Sequence, residues 1–100
     1  MSTIRKHIKF YGSVQGVNFR YNSSTIAKKL GLTGWVRNEH DGSVEMEAQG
    51  TSELINKLID TMKNVSQYIV IDNIENQLHM QKIKWENYFF IFLNLYKKYL

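Results

Sequence analysis

Apolar and polar residues alternate along several short segments of the chain, which is the pattern of half-buried β-strands. In residues 4–11, Ile8 and Phe10 fall on one face of such a strand and Lys9 falls on the other. The same alternation recurs in residues 43–48, where apolar residues alternate with a serine and two glutamates. Further strands are predicted for residues 32–38, 68–74 and 88–92, which are rich in β-branched or aromatic side chains.

Two other segments carry apolar residues at the three- and four-residue spacing of helices. The first helix is predicted to begin at the N-cap oxygens of Ser23 and Ser24 and to end at Gly31 in a left-handed conformation. Thr51 or Ser52 is predicted to cap the second helix. The apolar positions of that second helix are Leu54, Ile55, Leu58, Ile59, Met62 and Val65.

The order of these elements is β-α-β-β-α-β, with an irregular extension at the end. Asp41-Gly42 predicts a tight hairpin turn of type I′ between the second and third strands. The order predicts an α+β protein with a ferredoxin-like sandwich, in which an antiparallel sheet carries two helices on one face. We expect residues 1–100 to form a single domain, with residues 93–100 as a carboxyl-terminal extension.

The composition is that of a globular chain, with 43% hydrophobic and 22% charged residues. The absence of cysteine excludes disulfides and a thiol nucleophile. No apolar stretch approaches the roughly 20 residues of a membrane-spanning helix, and the amino terminus is unlike a signal peptide. We therefore expect a soluble cytoplasmic protein without a membrane partner. The formal net charge of +4 favours an anionic partner, either a small phosphate or a nucleic acid.

A loop with two glycines, residues 12–20, joins the first strand to the first helix and ends in Arg20. Such a turn can direct successive backbone N–H groups inward and form a nest for an anion. The guanidinium of Arg20 adds a planar fork that matches phosphate oxygens. No Gly-Lys-Ser/Thr sequence follows, so the loop is not a Walker motif. Taken alone, this segment is more typical of an ordinary β-to-α turn with a surface arginine than of a phosphate site.

A second candidate segment, residues 34–38, ends in Asn38 immediately before the predicted hairpin turn. Asparagine is common beside turns because its side chain bonds nearby backbone groups, so Asn38 alone indicates no function. Trp35 is interpreted as a residue of the core or of a sheet face, and Asp41 as a turn residue rather than a general base.

Together the two segments resemble the acylphosphatase family. The resemblance rests on Val14-Gln15-Gly16-Val17, Phe19-Arg20, Gly31-Leu32, Gly34-Trp35-Val36-Arg37-Asn38, Asp41-Gly42 and Val44-Glu45. It implies an enzyme that hydrolyses the carboxyl–phosphate bond of acyl phosphates to a carboxylate and inorganic phosphate. It also implies that Arg20 grips the phosphoryl oxygens and Asn38 holds the attacking water. The backbone that would cradle the phosphate belongs to Gln15, Gly16, Val17, Asn18, Phe19 and Arg20.

In the same family, glycines at the positions of Gly12 and Gly16 shape the loop. The chain departs from the commonest pattern at Asn18, where many members have glycine. The departure leaves the family resemblance intact and raises the question of what Asn18 does to the dihedral angles of the loop.

The implied reaction needs few groups. A carboxylate leaves without being protonated because the pKa of its conjugate acid is about 4. Phosphoryl transfer passes through a loose transition state that needs positioning and charge stabilisation. We therefore expect no metal and no cofactor. His7, His40 and His79 lack ligand spacing and are interpreted as surface residues, and Glu45 and Glu47 as solvated side chains of one strand face.

Two other functions share this fold. A binder of single-stranded RNA would stack bases on Tyr11, Trp35, Tyr88 and Phe90, but the glycine-aromatic run of such proteins is absent, so no nucleic-acid partner is expected. An acylphosphatase-like domain also occurs within a larger maturation enzyme that uses carbamoyl phosphate. Because the chain lacks zinc-finger cysteines and further domains, we expect a free-standing enzyme. We expect a monomer, although an apolar tail could instead form a dimerisation strip.

Overall fold

The computed structural model describes residues 2–79 and 90–92. Within them, the elements follow the order predicted from the sequence, and a short final strand lies inside the predicted segment 88–92. They are β1 (Thr3–Ser13), α1 (Phe19–Lys29), β2 (Thr33–Asn38), β3 (Val44–Thr51), α2 (Ser52–Met62), β4 (Val70–His79) and β5 (Phe90–Phe92). No helix among the described residues is long and apolar enough to cross a membrane.

The described strands form one sheet in the order β4-β1-β3-β2-β5. The first four strands pair antiparallel, as the ferredoxin-like prediction requires. The strand β5 instead lies parallel to β2, with Phe90 opposite Gly34 and Phe92 opposite Val36. It covers the edge of β2, whose backbone groups would otherwise remain unpaired. Residues 88–89 of the predicted fifth strand and the extension 93–100 lie outside the described residues.

Both helices pack on the same face of the sheet, where the core lies. The apolar positions of β1 and β3 that alternation predicts for this face, among them Ile8, Phe10 and Met46, are fully buried. From α2, Ile55 and Leu58 close the core, and each such buried side chain contributes about 1.5–3 kcal/mol. The fold class predicted from the sequence is confirmed.

The helix α2 begins at a predicted cap but ends earlier than predicted. Thr51 is the N-cap, and its Oγ1 accepts a hydrogen bond from the backbone N–H of Leu54 at 3.2 Å. This confirms one of the two predicted caps. Val65, which was assigned to the apolar face of the helix, lies beyond its end and is exposed.

The helix α1 begins earlier than predicted, at Phe19. Ser23 and Ser24 are buried inside the helix, and their hydroxyls donate hydrogen bonds to backbone carbonyls three residues back. The prediction of a serine N-cap was therefore wrong. The observed N-cap is Asn18 in a left-handed conformation, and Gly31 ends the helix with φ +73° as predicted.

The turn between β2 and β3 is not of type I′. That type requires positive φ at both central residues, but Gly42 has φ +91° whereas Asp41 is not among the residues with positive φ. The carboxylate of Asp41 accepts hydrogen bonds from the backbone N–H and the hydroxyl of Ser43, at 3.0 and 2.5 Å. These bonds lower the pKa of Asp41 to about 2, so its carboxylate is a weak base.

The sheet face opposite the helices carries ion pairs, so Glu45 and Glu47 are not solvated as expected. Glu47 is buried and pairs with the buried guanidinium of Arg5. Glu45 lies 2.5 Å from His7 and 2.8 Å from Arg37. Arg37 lies directly opposite Glu45 on β2, whereas Arg5 and His7 on β1 are diagonal neighbours of Glu47 and Glu45. Both arrangements lie within reach of long side chains.

Candidate active site

The loop between β1 and α1 is shorter than predicted and comprises residues 14–18, because β1 continues through Gly12 to Ser13. Gly16 has φ +75° and Asn18 has φ +64°, whereas Val17 between them is not left-handed. A backbone of alternating handedness directs successive N–H groups to one side and forms a nest for an anion. The loop therefore has the backbone conformation that an anion site needs.

The same angles explain why asparagine is tolerated at position 18. The left-handed conformation is unfavourable for most side chains, but asparagine adopts it more readily than other non-glycine residues. Asn18 has φ 64° and ψ 28°, close to the centre of that region. The departure from glycine therefore keeps the dihedral angles that the loop requires.

The amino-terminal end of α1 points into the same region. The first N–H groups of a helix have no partner within the helix and carry a partial positive charge, which favours anions. Asn18 makes no side-chain cap to these groups within the described residues, and the first turn contains no acidic residue. The electrostatic field of the helix end is therefore free to act on a bound anion.

A cavity of about 190 Å³ lies between this loop, the helix end and the end of β2. Arg20, the second residue of α1, and Asn38, the last residue of β2, both line it. The other lining residues are Val14, Gly16, Asn18, Phe19 and Tyr21. The structure thus brings together the two residues that the resemblance identifies as catalytic, and it places the loop beside them.

Arg20 is half-buried at this cavity. Desolvation lowers the pKa of its guanidinium, but arginine starts so far above neutrality that it stays charged. A charge in a partly buried site interacts more strongly with an anion than the same charge in open water. Arg20 therefore supplies a permanent positive group to the cavity.

Asn38 is positioned by the β2–β3 ladder, where its backbone lies opposite Val44. Among the described residues, none forms a hydrogen bond with the side-chain amide of Asn38. The amide is thus available to a molecule in the cavity, and it can donate to and accept from a water.

The side chain of Gln15 connects the loop to the hairpin that carries Asn38. Its Nε2 donates hydrogen bonds to the backbone carbonyls of Glu39 at 2.7 Å and Ser43 at 2.8 Å. Glu39 directly follows Asn38, and its N–H closes the hairpin on the carbonyl of Ser43 at 2.9 Å. Gln15 was predicted to contribute backbone only, and its side-chain role went unpredicted because both acceptors are distant in sequence.

We expect Gln15→Met to lower both the free energy of unfolding and kcat. The variant keeps a side chain of similar length but removes one hydrogen bond from each of two carbonyls, which both keep a backbone donor. Each bond lost therefore costs about 0.5–1.5 kcal/mol, the net value of an ordinary hydrogen bond. Chemical denaturation and steady-state hydrolysis measure the two effects, with the exposed Gln67→Met as the matched control. A Gln15→Met protein with the stability and kcat of the wild type would contradict the connection.

A larger open depression of about 560 Å³ runs along α2, but none of the predicted site residues lines it. Within residues 2–79 and 90–92, no group of three or more histidine, aspartate or glutamate side chains could hold a metal ion.

The chain is similar in sequence to known acylphosphatases. The family model described as acylphosphatase matches residues 6–91 of the chain. An acylphosphatase of Bifidobacterium longum is 54% identical over 59 residues, which cover 59% of this chain and 61% of that protein. An acylphosphatase of Caldanaerobacter subterraneus is 41% identical over 71 residues, which cover 71% of this chain and 79% of that protein. The chain spans about three fifths of the length of the first of these relatives.

Solved structures agree with this match. The crystal structure of acylphosphatase from Bacillus subtilis is similar with a TM-score of 0.79 and 31% identity, covering 90% of this chain and 98% of that chain. Full-length HypF in the phosphate- and nucleotide-bound form is similar with a TM-score of 0.77 and 27% identity, covering 96% of this chain but 13% of that chain. The fold, the residues of the cavity and the matched sequence agree, and the chain belongs to the acylphosphatase family.

Proposed function

We propose that this protein hydrolyses acyl phosphates to a carboxylate and inorganic phosphate, with Arg20 and Asn38 as the catalytic residues. The observation that supports this most directly is the cavity between the loop, α1 and β2. It combines a nest-forming backbone, a helix amino terminus, a guanidinium and an uncommitted amide in about 190 Å³. Each of these groups is suited to one part of an acyl phosphate or to the attacking water.

The phosphoryl group would bind to the backbone N–H groups of residues 15–20 and to the guanidinium of Arg20. Backbone amides and a guanidinium donate charge-assisted hydrogen bonds, which are stronger than neutral ones. The charge on the phosphoryl oxygens in the transition state would meet donors that are already in place, so little reorganisation is needed during the reaction. This arrangement stabilises a loose transition state through position and charge alone.

Asn38 would hold the water that attacks phosphorus. The side-chain oxygen of Asn38 can accept a hydrogen bond from the water. Its N–H groups can at the same time donate to a phosphoryl oxygen or to one lone pair of the water. The carboxylate leaves as an anion, because its conjugate acid has a pKa of about 4, and needs no general acid. The chemistry therefore requires neither a covalent nucleophile nor a metal, and it has no need of a cofactor.

The proposal extends to the setting in which the enzyme works. We propose a monomeric enzyme that acts in the cytoplasm on a small-molecule substrate, with no nucleic-acid or membrane partner, and in which residues 1–100 form one acylphosphatase-like domain. The net charge of +4 is consistent with an anionic substrate of this size.

Hydrolysis of acetyl phosphate and benzoyl phosphate by the purified protein, followed by release of inorganic phosphate in the presence of a chelator, tests the proposal. We expect saturable turnover that does not change when the chelator is omitted. A folded protein that releases no phosphate from either substrate would contradict the proposed activity. Turnover that the chelator abolishes would contradict the metal-free mechanism.

A further inference from the structure

A feature of the cavity that the proposed reaction does not use is the ring of Tyr21. Tyr21 lines the cavity, yet the residue is 64% exposed. Among the described residues that line the cavity, it alone is a large aromatic side chain facing solvent, since Phe19 is buried. A residue that both lines a pocket and projects from it lies at the mouth.

The size of the cavity indicates which part of a substrate reaches the mouth. Pockets that enclose drug-sized ligands measure roughly 300–1,000 Å³. The cavity here, at about 190 Å³, is smaller, and the groups proposed to hold the phosphoryl group and the water, Arg20 and Asn38, both line it. The acyl group of a bound substrate would therefore lie outside the nest, at the mouth where Tyr21 stands.

Tyr21 lies on the first turn of α1, to one side of the group proposed to hold the phosphate. It follows Arg20, so its side chain leaves the helix about 100° around the axis from the guanidinium. Both residues belong to the first turn, beside the loop that would hold the phosphoryl group. Because both residues line the same cavity, a substrate held by Arg20 at one end would carry its other end past the ring of Tyr21.

We propose that Tyr21 is the acyl-side wall of the site and that it favours aromatic acyl phosphates over small aliphatic ones. The inference rests on the proposed function, because it assigns a contact to the acyl group, the part of the substrate that would lie outside the phosphate-binding loop. A tyrosine ring offers a rigid apolar face for a planar acyl group and loses little conformational entropy when it is covered. A methyl-sized acyl group would cover too little of that face to gain from it.

The test compares kcat/KM for benzoyl phosphate and acetyl phosphate in wild type and variants. Tyr21→Ala is expected to lower kcat/KM for benzoyl phosphate about three- to tenfold, which corresponds to the usual strength of an aromatic pair. The loss should come through KM, with acetyl phosphate turnover and inhibition by inorganic phosphate nearly unchanged. Tyr21→Phe keeps the ring and should retain the preference. Tyr68→Ala removes an equally exposed tyrosine outside the cavity and should leave kcat/KM unchanged for both substrates.

The outcomes separate this inference from the proposed function. Suppose that wild type hydrolyses both substrates and that Tyr21→Ala lowers kcat/KM equally for both, or for neither. The proposed role of Tyr21 is then wrong, while the proposed hydrolase activity stands. If folded wild type hydrolyses neither substrate, the proposed function fails and the inference fails with it. A Tyr21→Phe variant that loses the preference would show that the hydroxyl, not the aromatic face, makes the contact, and would also contradict the inference.

Discussion

Arg20→Ala is expected to remove measurable hydrolysis of acyl phosphates. The guanidinium is the one charged side chain among the described residues lining the cavity, and it would contact the phosphoryl oxygens where negative charge is greatest. Each charge-assisted hydrogen bond lost is worth roughly 1.5–3 kcal/mol, and losing an arginine that stabilises phosphoryl transfer lowers rates by about 10³–10⁵-fold. Steady-state kinetics with benzoyl phosphate should therefore show kcat/KM at or below the limit of detection.

Two further variants distinguish the roles of charge and shape. Lys28→Ala removes the same formal charge from an exposed position near the end of the same helix, and we expect it to retain wild-type kcat/KM. Arg20→Lys keeps the charge but lacks the planar fork, so partial activity is expected. An Arg20→Ala protein that retains more than about a tenth of wild-type kcat/KM would contradict a transition-state role for this arginine.

Local sequence patterns were sufficient to predict most of the fold because those patterns reflect burial on one face. Ile8, Phe10 and Met46 alternate with polar residues, and all three are buried as the alternation predicts. What alternation cannot show is the partner across the sheet. Glu47 was expected in solvent because the opposing residues were unknown, and only the β1–β3 register brings Arg5 within reach of it.

The start of α1 was mispredicted for a different reason. Ser23 and Ser24 have the side chains of typical N-caps, but inside a helix the same hydroxyls bond the carbonyls three residues back. The actual N-cap, Asn18, uses a left-handed backbone and no side-chain bond, and this leaves little signal in local propensity. The consequence matters for function, because it moves Arg20 from the loop onto the first turn of the helix.

The candidate site depended on resemblance more than on pattern. Neither a Gly-x-x-x-Gly loop nor a turn asparagine indicates a phosphate site by itself, and the shared motifs singled out Arg20 and Asn38. The structure adds their common cavity. It also adds the side chain of Gln15, whose acceptors Glu39 and Ser43 could not be identified without the fold.

Asn38→Ala is expected to lower kcat by about 10²-fold, because a small misplacement of the nucleophile has an effect of this size. Inhibition by inorganic phosphate should change little, since Arg20 and the loop remain. Folding should also survive, because the backbone of Asn38 forms the β2–β3 ladder and its amide bonds none of the described residues. Measuring kcat and the phosphate inhibition constant together, with the exposed Asn76→Ala as control, separates water positioning from phosphate binding. A fully active Asn38→Ala protein would contradict the water-holding role, and an equal loss of phosphate binding would assign Asn38 to the phosphoryl group instead.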